Sequence, residues 1–211
     1  QQRWQSRTRR SRAHAVHRRR LSGTGTMPRH FAPAAPQVAL PIGLLLGVQA
    51  ARDPHHPALS CEDLTLTRAE LAARVHRRAR AMQAAGVVEG DFVAIALPNG
   101  TDFLEVAFAC WALGATPAPV SHRLPPLELQ ALLEVLQPRL VVGGEAARAA
   151  GVPLVTEQSL YDSSLSADPL PERVSQHVKA IASGGSTGRP KVIVDHARSV
   201  LDPDAPSLGM R

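Results

Sequence analysis

From about Ala35 the apolar positions recur with two different periods, and each change of period marks an element. In RAELAARVHRRARAMQAAG, Leu71, Val75, Ala79 and Met82 stand at helical spacing with arginines between them. Thr67 and Glu70 occupy the positions of a capping box, in which each side chain satisfies the other's backbone N–H, and Gly86 supplies a stop. The arginines are expected on the solvated face. DFVAIALPNG reads as a buried strand over Phe92–Leu97 closed by a Pro98-Asn99-Gly100 turn. TDFLEVAFACWALG reads as an apolar helix ended by Gly114. Its Asp102 and Glu105, three apart near the start, are expected to favour the positive end of the helix dipole.

The rhythm then repeats. ATPAPV is extended, with prolines that suit an edge strand or a loop. PPLELQALLEVLQ is amphipathic and begins at Pro125 and Pro126. RLVVGG and VPLVT are short strands with a small helix expected between them near 145–150. Alternating strands and helices predict an α/β fold, a mostly parallel sheet flanked by helices. Residues 157–177 carry no period and read as a surface connection. Val178–Ala182 and Lys191–Asp195 are two further strand-like runs, and HARSVLDPDAPSLGMR shows no closing element.

Composition narrows the partners. The chain has 211 residues, 44% hydrophobic but only 3% aromatic, so Ala, Leu and Val must build the core. The net charge of +6 is unevenly placed. Residues 1–30 hold nine arginines and no acid, which leaves 15 basic against 18 acidic side chains in the rest. Residues 1–34 are therefore expected to be a disordered Arg-rich tail, with those before Met27 open to being foreign to the native protein. Residues 35–211 form the folded body. A tail of this kind also suits nucleic acid, an acidic partner or a transit peptide. A mildly acidic body, in a chain with only seven aromatics in all, makes nucleic acid an unlikely partner. Val38–Val48 is too short to span a membrane and contains a proline, although it also has the length of a signal-peptide core. Cys61 and Cys110 have no CxxC spacing, which argues against a disulfide framework or a zinc site and suits a reducing, cytoplasmic setting. His55, His56 and His122 have no partner at metal or triad spacing.

One stretch carries chemistry. SGGSTGRPK joins the last two strand-like runs. Gly184, Gly185 and Gly188 allow the backbone to turn N–H groups toward one point. Ser183, Ser186 and Thr187 add hydroxyl donors, Arg189 a planar fork and Lys191 a mobile charge. Convergent donors and a cation suit a polyphosphate, while the same composition also suits a flexible hairpin loop. The spacing is neither that of the P-loop NTPases nor that of the dinucleotide fingerprint.

The stretch resembles the phosphate loop of adenylate-forming (AMP-binding) enzymes, T-S-G-[ST]-T-G-x-P-K-G, in register from Ser183 to Lys191. Gly184 replaces the Ser and Val192 the final Gly. LTRAEL (66–71) is similar to the family's L-T-Y-x-E-L, with Arg68 at the Tyr. Residues 86–129 are similar to its GV-x-x-GD-x-VA…N…GA…P…L stretch. The resemblance covers about Ala35 to Asp195. It implies the partial N-terminal domain of an acyl-CoA synthetase or related acid–thiol ligase. Such an enzyme activates a small carboxylic acid with ATP and Mg2+ as an acyl-adenylate, then passes the acyl group to coenzyme A. Ser183, Gly184, Gly185, Ser186, Thr187, Gly188 and Lys191 would bind the ATP phosphates. The family's other nucleotide and catalytic groups come later in its sequences, so no catalytic residue is assigned here. The chain is expected to be an N-terminal fragment that needs the missing C-terminal portion and is inactive alone. A nonribosomal-peptide adenylation domain and a non-enzymatic basic-tailed binding protein are the alternatives.

Overall fold

The computed structural model describes residues 39–143, 154–183 and 190–201. The Arg-rich tail, the small helix expected near 145–150 and loop residues 184–189 lie outside the described residues.

The frame is a four-stranded parallel sheet in the order β5-β4-β6-β7. Its strands are β4 (Phe92–Ile95), β5 (Thr116–Pro119), β6 (Leu140–Val142) and β7 (Leu154–Val155). β4 lies inside the sheet and is apolar on both faces. Val93 and Ile95 point into one core with Leu140 and Val142, whereas Ala94 and Ala96 point into the other with Val141. This is the continuous hydrophobic run of a strand covered on both sides. β5 pairs only with β4, and so Pro117 and Pro119, which cannot donate to a ladder, stand at an edge as their chemistry requires.

Four helices cover the sheet: α1 (Ile42–Arg52), α2 (Arg68–Ala84), α3 (Thr101–Ala112) and α4 (Pro126–Leu136). α2 and α3 fill the first core with Leu71, Val75, Met82, Val106 and Cys110; α4 fills the second with Leu129, Leu132, Leu133 and Leu136. The capping box forms as expected. Glu70 N–H donates to Thr67 Oγ1 at 3.3 Å, and Thr67 N–H donates to Glu70 Oε2 at 2.8 Å. The Thr67 N–H, and then the Thr67 hydroxyl that donates to the same Oε2 at 2.8 Å, hold the Glu70 carboxyl below its ordinary range. α4 opens on Pro125 and Pro126 and closes with Gln137 in the left-handed conformation.

Of the apolar run Val38–Val48, Leu40 and Pro41 form β1 and the part from Ile42 onward enters α1, which packs on α2 and α3. The approach to α3 is close enough to require glycine, because a Cβ at Gly43 would lie 2.6 Å from the Trp111 carbonyl oxygen. Among the described residues no helix is long and apolar enough to cross a membrane.

Two antiparallel hairpins and a two-strand clasp complete the fold. β2 (Pro57–Cys61) pairs with β3 (Leu64–Thr67), and β8 (Ala180–Ser183) with β9 (Lys191–Val194). β1 (Leu40–Pro41) pairs with β10 (Val200–Leu201). The final segment therefore does contain a closing element, a two-residue strand too short to read from its pattern. A buried knot of hydroxyls supports the clasp. Thr116 and Ser175 share a 2.8 Å hydrogen bond, Ser175 N–H donates to Ser199 Oγ, and Ile42 N–H donates to the Ser199 carbonyl.

The arginines of α2 are not a solvated face. Arg78 is buried, and its spacing from Val75 and Met82 puts it on the apolar stripe itself. Its Nε meets the fully buried Glu105 at 2.5 Å, its other nitrogens reach Asp102 and the Glu157 carbonyl, and Arg74 meets Glu105 from the second side at 2.5 Å. Glu105 thus accepts from two guanidinium groups, whose second charge Asp102 balances, and its interior position imposes this role in place of the expected dipole role. Asp102 bonds Arg78 from the first turn of α3. Burial opposes the charge on Arg74, but the hydrogen bond and attraction from Glu105 prevail and raise its pKa. The connection at 157–177 is irregular, as expected, yet it is strapped to α2. Arg77 donates to the Leu165 carbonyl, Arg80 to those of Ser166 and Asp168, and His76 Nδ1–H to that of Ala167.

Candidate functional site

The β8–β9 hairpin carries the phosphate-loop candidate. Its register pairs Ser183 with Lys191, Ala182 with Val192, Ile181 with Ile193 and Ala180 with Val194. Side chains alternate across such a ladder. Ala180 is buried in the second core, and Ala182, Val192 and Val194 pack against it, beneath which lie Ala118, Leu132 and Leu136. These small and branched residues seat the hairpin on α4 and the edge strand β5. The other face is open, with Ile181, Lys191 and Ile193 exposed.

Bonds at the foot of the hairpin fix its direction. Trp111 Nε1 on α3 donates to the Val178 carbonyl at 2.8 Å, and Asp195 N–H donates to the Lys179 carbonyl. His177 pairs its Nδ1 with the Asp195 carbonyl at 2.9 Å and stacks on Phe92, the first residue of β4. The central sheet is thereby linked to the base of the loop on the entering and leaving strands alike.

Of the seven residues expected to bind phosphate, the structure places the backbone of Ser183 at the end of β8 and Lys191 at the start of β9, directly opposite each other. Gly184, Gly185, Ser186, Thr187 and Gly188 lie outside the described residues. Lys191 is exposed, and no salt bridge among the described residues engages it.

A second concavity follows from topology. The chain leaves β4 through α3 to β5, then returns through α4 to β6 on the other side of β4. The carboxyl ends of β4 and β6 therefore flank a switch point, where open α/β sheets hold ligands. Beside the end of β4 lies a cleft of about 280 Å³, lined by Cys61, Leu97, Asn99, Gly100, Asp102 and Glu157. Gly143, at the end of β6, has φ +80°, and a Cβ there would sit 2.4 Å from Leu97 Cδ2, so the two strand ends meet tightly. The sequence signal for this cleft is the Pro98-Asn99-Gly100 turn, whose pattern alone indicates only the end of a strand. His55, His56 and His122 are exposed, and among the described residues no group of three His, Cys, Asp or Glu could hold a metal ion.

Comparison with known proteins agrees with the loop and the frame together. The model of the AMP-binding enzyme family matches residues 46–203. Feruloyl-CoA synthase of an Amycolatopsis species is 37% identical over 150 residues, covering 68% of this chain and 30% of the synthase. Pyochelin synthetase PchE of Pseudomonas aeruginosa is 33% identical over 159 residues, covering 75% of this chain and 11% of the synthetase. The inhibitor-bound N-terminal domain of FACL13 from Mycobacterium tuberculosis superposes with a TM-score of 0.65 at 26% identity, over 74% of this chain and 44% of that one. The chain spans about a third or less of those two curated relatives. The family match runs from α1 through β10 and includes the whole β8–β9 hairpin, so the chain belongs to the AMP-binding enzyme family.

Proposed function

We propose that this chain supplies the triphosphate-binding part of an ATP-dependent acid–thiol ligase of the acyl-CoA synthetase type. The observation that supports it most is the register of β8 against β9. A loop rich in glycine and hydroxyls is closed by paired strands, with an exposed Lys191 at its exit that no salt bridge among the described residues engages. In the first half-reaction a carboxylate oxygen attacks the α-phosphorus of ATP and pyrophosphate leaves. Charge grows on the leaving group, and a cation with convergent N–H and O–H donors aimed there lowers the barrier. In this reading Lys191 Nζ, Ser183, Ser186, Thr187 and the backbone of Gly184, Gly185 and Gly188 hold the β- and γ-phosphates. The described residues contain no cluster able to hold Mg2+, so the reading leaves that ion to the nucleotide and to groups elsewhere. Coenzyme A is the proposed acceptor, and free Cys61 and Cys110 suit a cytoplasmic setting. Residues 35–211 then form part of an N-terminal AMP-binding domain, with the Arg-rich stretch 1–34 outside it.

A second reading rests on the similarity to a pyochelin synthetase. A peptide-synthetase adenylation domain would share the first half-reaction and differ in acceptor, a carrier-protein thiol instead of coenzyme A. Transfer assays offering each thiol separate the two.

The loop assignment is tested with the longest naturally encoded protein that contains this chain. Carboxylate-dependent ATP–pyrophosphate exchange is expected to fall on the order of 100-fold in Lys191→Ala, with partial recovery in Lys191→Arg. Unchanged exchange would remove Lys191 from the site. The 211-residue chain alone is expected to show no exchange, and a signal above background would show that it carries the missing groups itself.

A further inference from the structure

On the first-core side of the sheet, α1, β2, α2 and α3 leave a groove of about 400 Å³ between them. Its wall includes Leu71, which is buried, and Leu46, Leu59 and Phe108, which are partly buried against the same core. Only three polar side chains join this wall: Gln49, His56 and Arg68. A mostly apolar concavity with a few polar groups is the composition of a small-molecule site, and the volume lies within the usual roughly 300–1,000 Å³.

Arg68 gives the groove its chemical sign. It is the first residue of α2, at the positive end of the helix dipole, where a cation is disfavoured. The only acid of α2, Glu70, is taken up by the capping box with Thr67. His56 Nδ1 lies 3.6 Å from Asp53 Oδ2, whereas no salt bridge among the described residues engages Arg68. The Arg68 N–H donates to the His56 carbonyl at 2.9 Å, which fixes the start of α2 against the groove. Arg68 also stands where the pattern L-T-Y-x-E-L has an aromatic, so the cation departs from the family motif. A guanidinium beside an aliphatic channel complements a hydrocarbon chain that ends in a carboxylate, which the planar fork can hold through two hydrogen bonds.

We infer that this groove binds a free, straight-chain monocarboxylate of medium length, its carboxylate on Arg68 and its chain along Leu46, Leu59 and Phe108. The groove belongs to the first core, while the β8–β9 hairpin is seated on the second, so this is an accessory site on the other side of the sheet from the phosphate-loop candidate. It stands independently of the function proposed above, because it needs neither nucleotide nor turnover.

Isothermal titration calorimetry of the 211-residue chain, without nucleotide, reads the site directly. Octanoate below its micelle concentration is expected to bind one to one. Affinity is expected to rise about threefold to fourfold per methylene from butanoate to octanoate. Amide hydrogen exchange is expected to show protection over 45–49, 57–59 and 104–108. Arg68→Ala and Arg68→Tyr are expected to weaken octanoate about tenfold or more, and Arg68→Lys to retain part of the affinity. The same variants leave 1-octanol, which offers the chain without the charge, unchanged. Leu104 is an exposed member of the wall, and Leu104→Gln is expected to reduce the gain per methylene with circular dichroism unaltered. Acetate binding as tightly as octanoate, octanoate indifferent to both Arg68→Ala and Arg68→Tyr, or protection confined to other segments would overturn the inference. Octylamine binding as well as octanoate would reduce the site to apolar adsorption and overturn it too. Binding seen only with vesicles of phosphatidylcholine and phosphatidylglycerol, or only as self-association of the chain, would assign the groove to a lipid surface or a second copy, against the inference.

Discussion

Two clusters of charge in this protein have opposite fates. On α2 and α3, Arg74, Arg78, Asp102 and Glu105 close on one another, and Tyr161 lies against both guanidinium groups. At the hairpin, Lys191 projects from an open face with no salt bridge among the described residues. The first cluster is consumed by the fold. Its charges pair with one another, with Asp102 alone also half-exposed to the cleft beside β4. The second is held in place by apolar packing on the reverse side of its strands and forms no salt bridge among the described residues. Under the function proposed above, charge density alone would choose the wrong region, since α2 is much richer in arginine. The better guide to function is whether the framework already uses the charge.

Removing one member of the closed cluster breaks this contrast most directly. Arg78→Ala leaves Glu105 in a sealed core with half its compensation and opens the Glu157 carbonyl. Breaking a buried pair from one side costs about 3–5 kcal/mol, and urea denaturation is expected to show a loss of that size. A loss near zero would mean that Glu105 accepts a proton or water at no cost, and the cluster would not be structural.

The next effect concerns the strap over α2. His76 is buried and donates to the Ala167 carbonyl, and burial pushes its imidazole below the ordinary value despite that bond. The folded state therefore binds the proton less readily than the unfolded chain, and acid favours unfolding. His76's contribution is complete above the unfolded value of about 6.5. It is lost as pH falls through that value toward the lower folded one, by at most about 1.4 kcal/mol per pH unit for a single proton. Chemical denaturation between pH 7.5 and 5 is expected to show the decline, and His76→Gln to flatten it. The same slope in the variant would assign the proton to another group.

A smaller effect measures how much local sequence contributes. Thr67→Ala removes the side-chain half of the capping box at the start of α2 and is expected to cost about 1 kcal/mol. Thermal unfolding reads it, and no change would mean that α2 is held only by its packing.

These elements differ in how far they could be read beforehand. The box, the stripe through Leu71, Val75 and Met82, the prolines of β5 and the flanks of the loop were legible because each depends on residues within one or two turns. The closed cluster was not, since it joins α2 to α3 across some 25 residues of sequence. A trace of it was present, because Arg78 sits on the apolar stripe and Glu105 in a largely apolar helix. The β1–β10 clasp left no such trace. Two-residue strands have no period, and their partners are the two ends of the described fold. The loop's sequence carried the family signal, whereas the geometry of 184–189 was not available from its pattern, because glycines allow many backbone paths.

The smallest expected effect sharpens the contrast most. Lys191→Ala deletes a charge from the same protein that pays heavily for losing Arg78, yet its side chain is exposed and forms no salt bridge among the described residues. A surface change of this kind is expected within about 0.5 kcal/mol of the parent. Urea denaturation of the two variants side by side gives the comparison its clearest form. Should Lys191→Ala be destabilised as Arg78→Ala is, Lys191 would also belong to the framework, and the distinction between consumed and available charge would fail at the hairpin. A stable Lys191→Ala with impaired pyrophosphate exchange would separate the two roles, because a residue kept for the fold cannot lose its function while the fold is untouched.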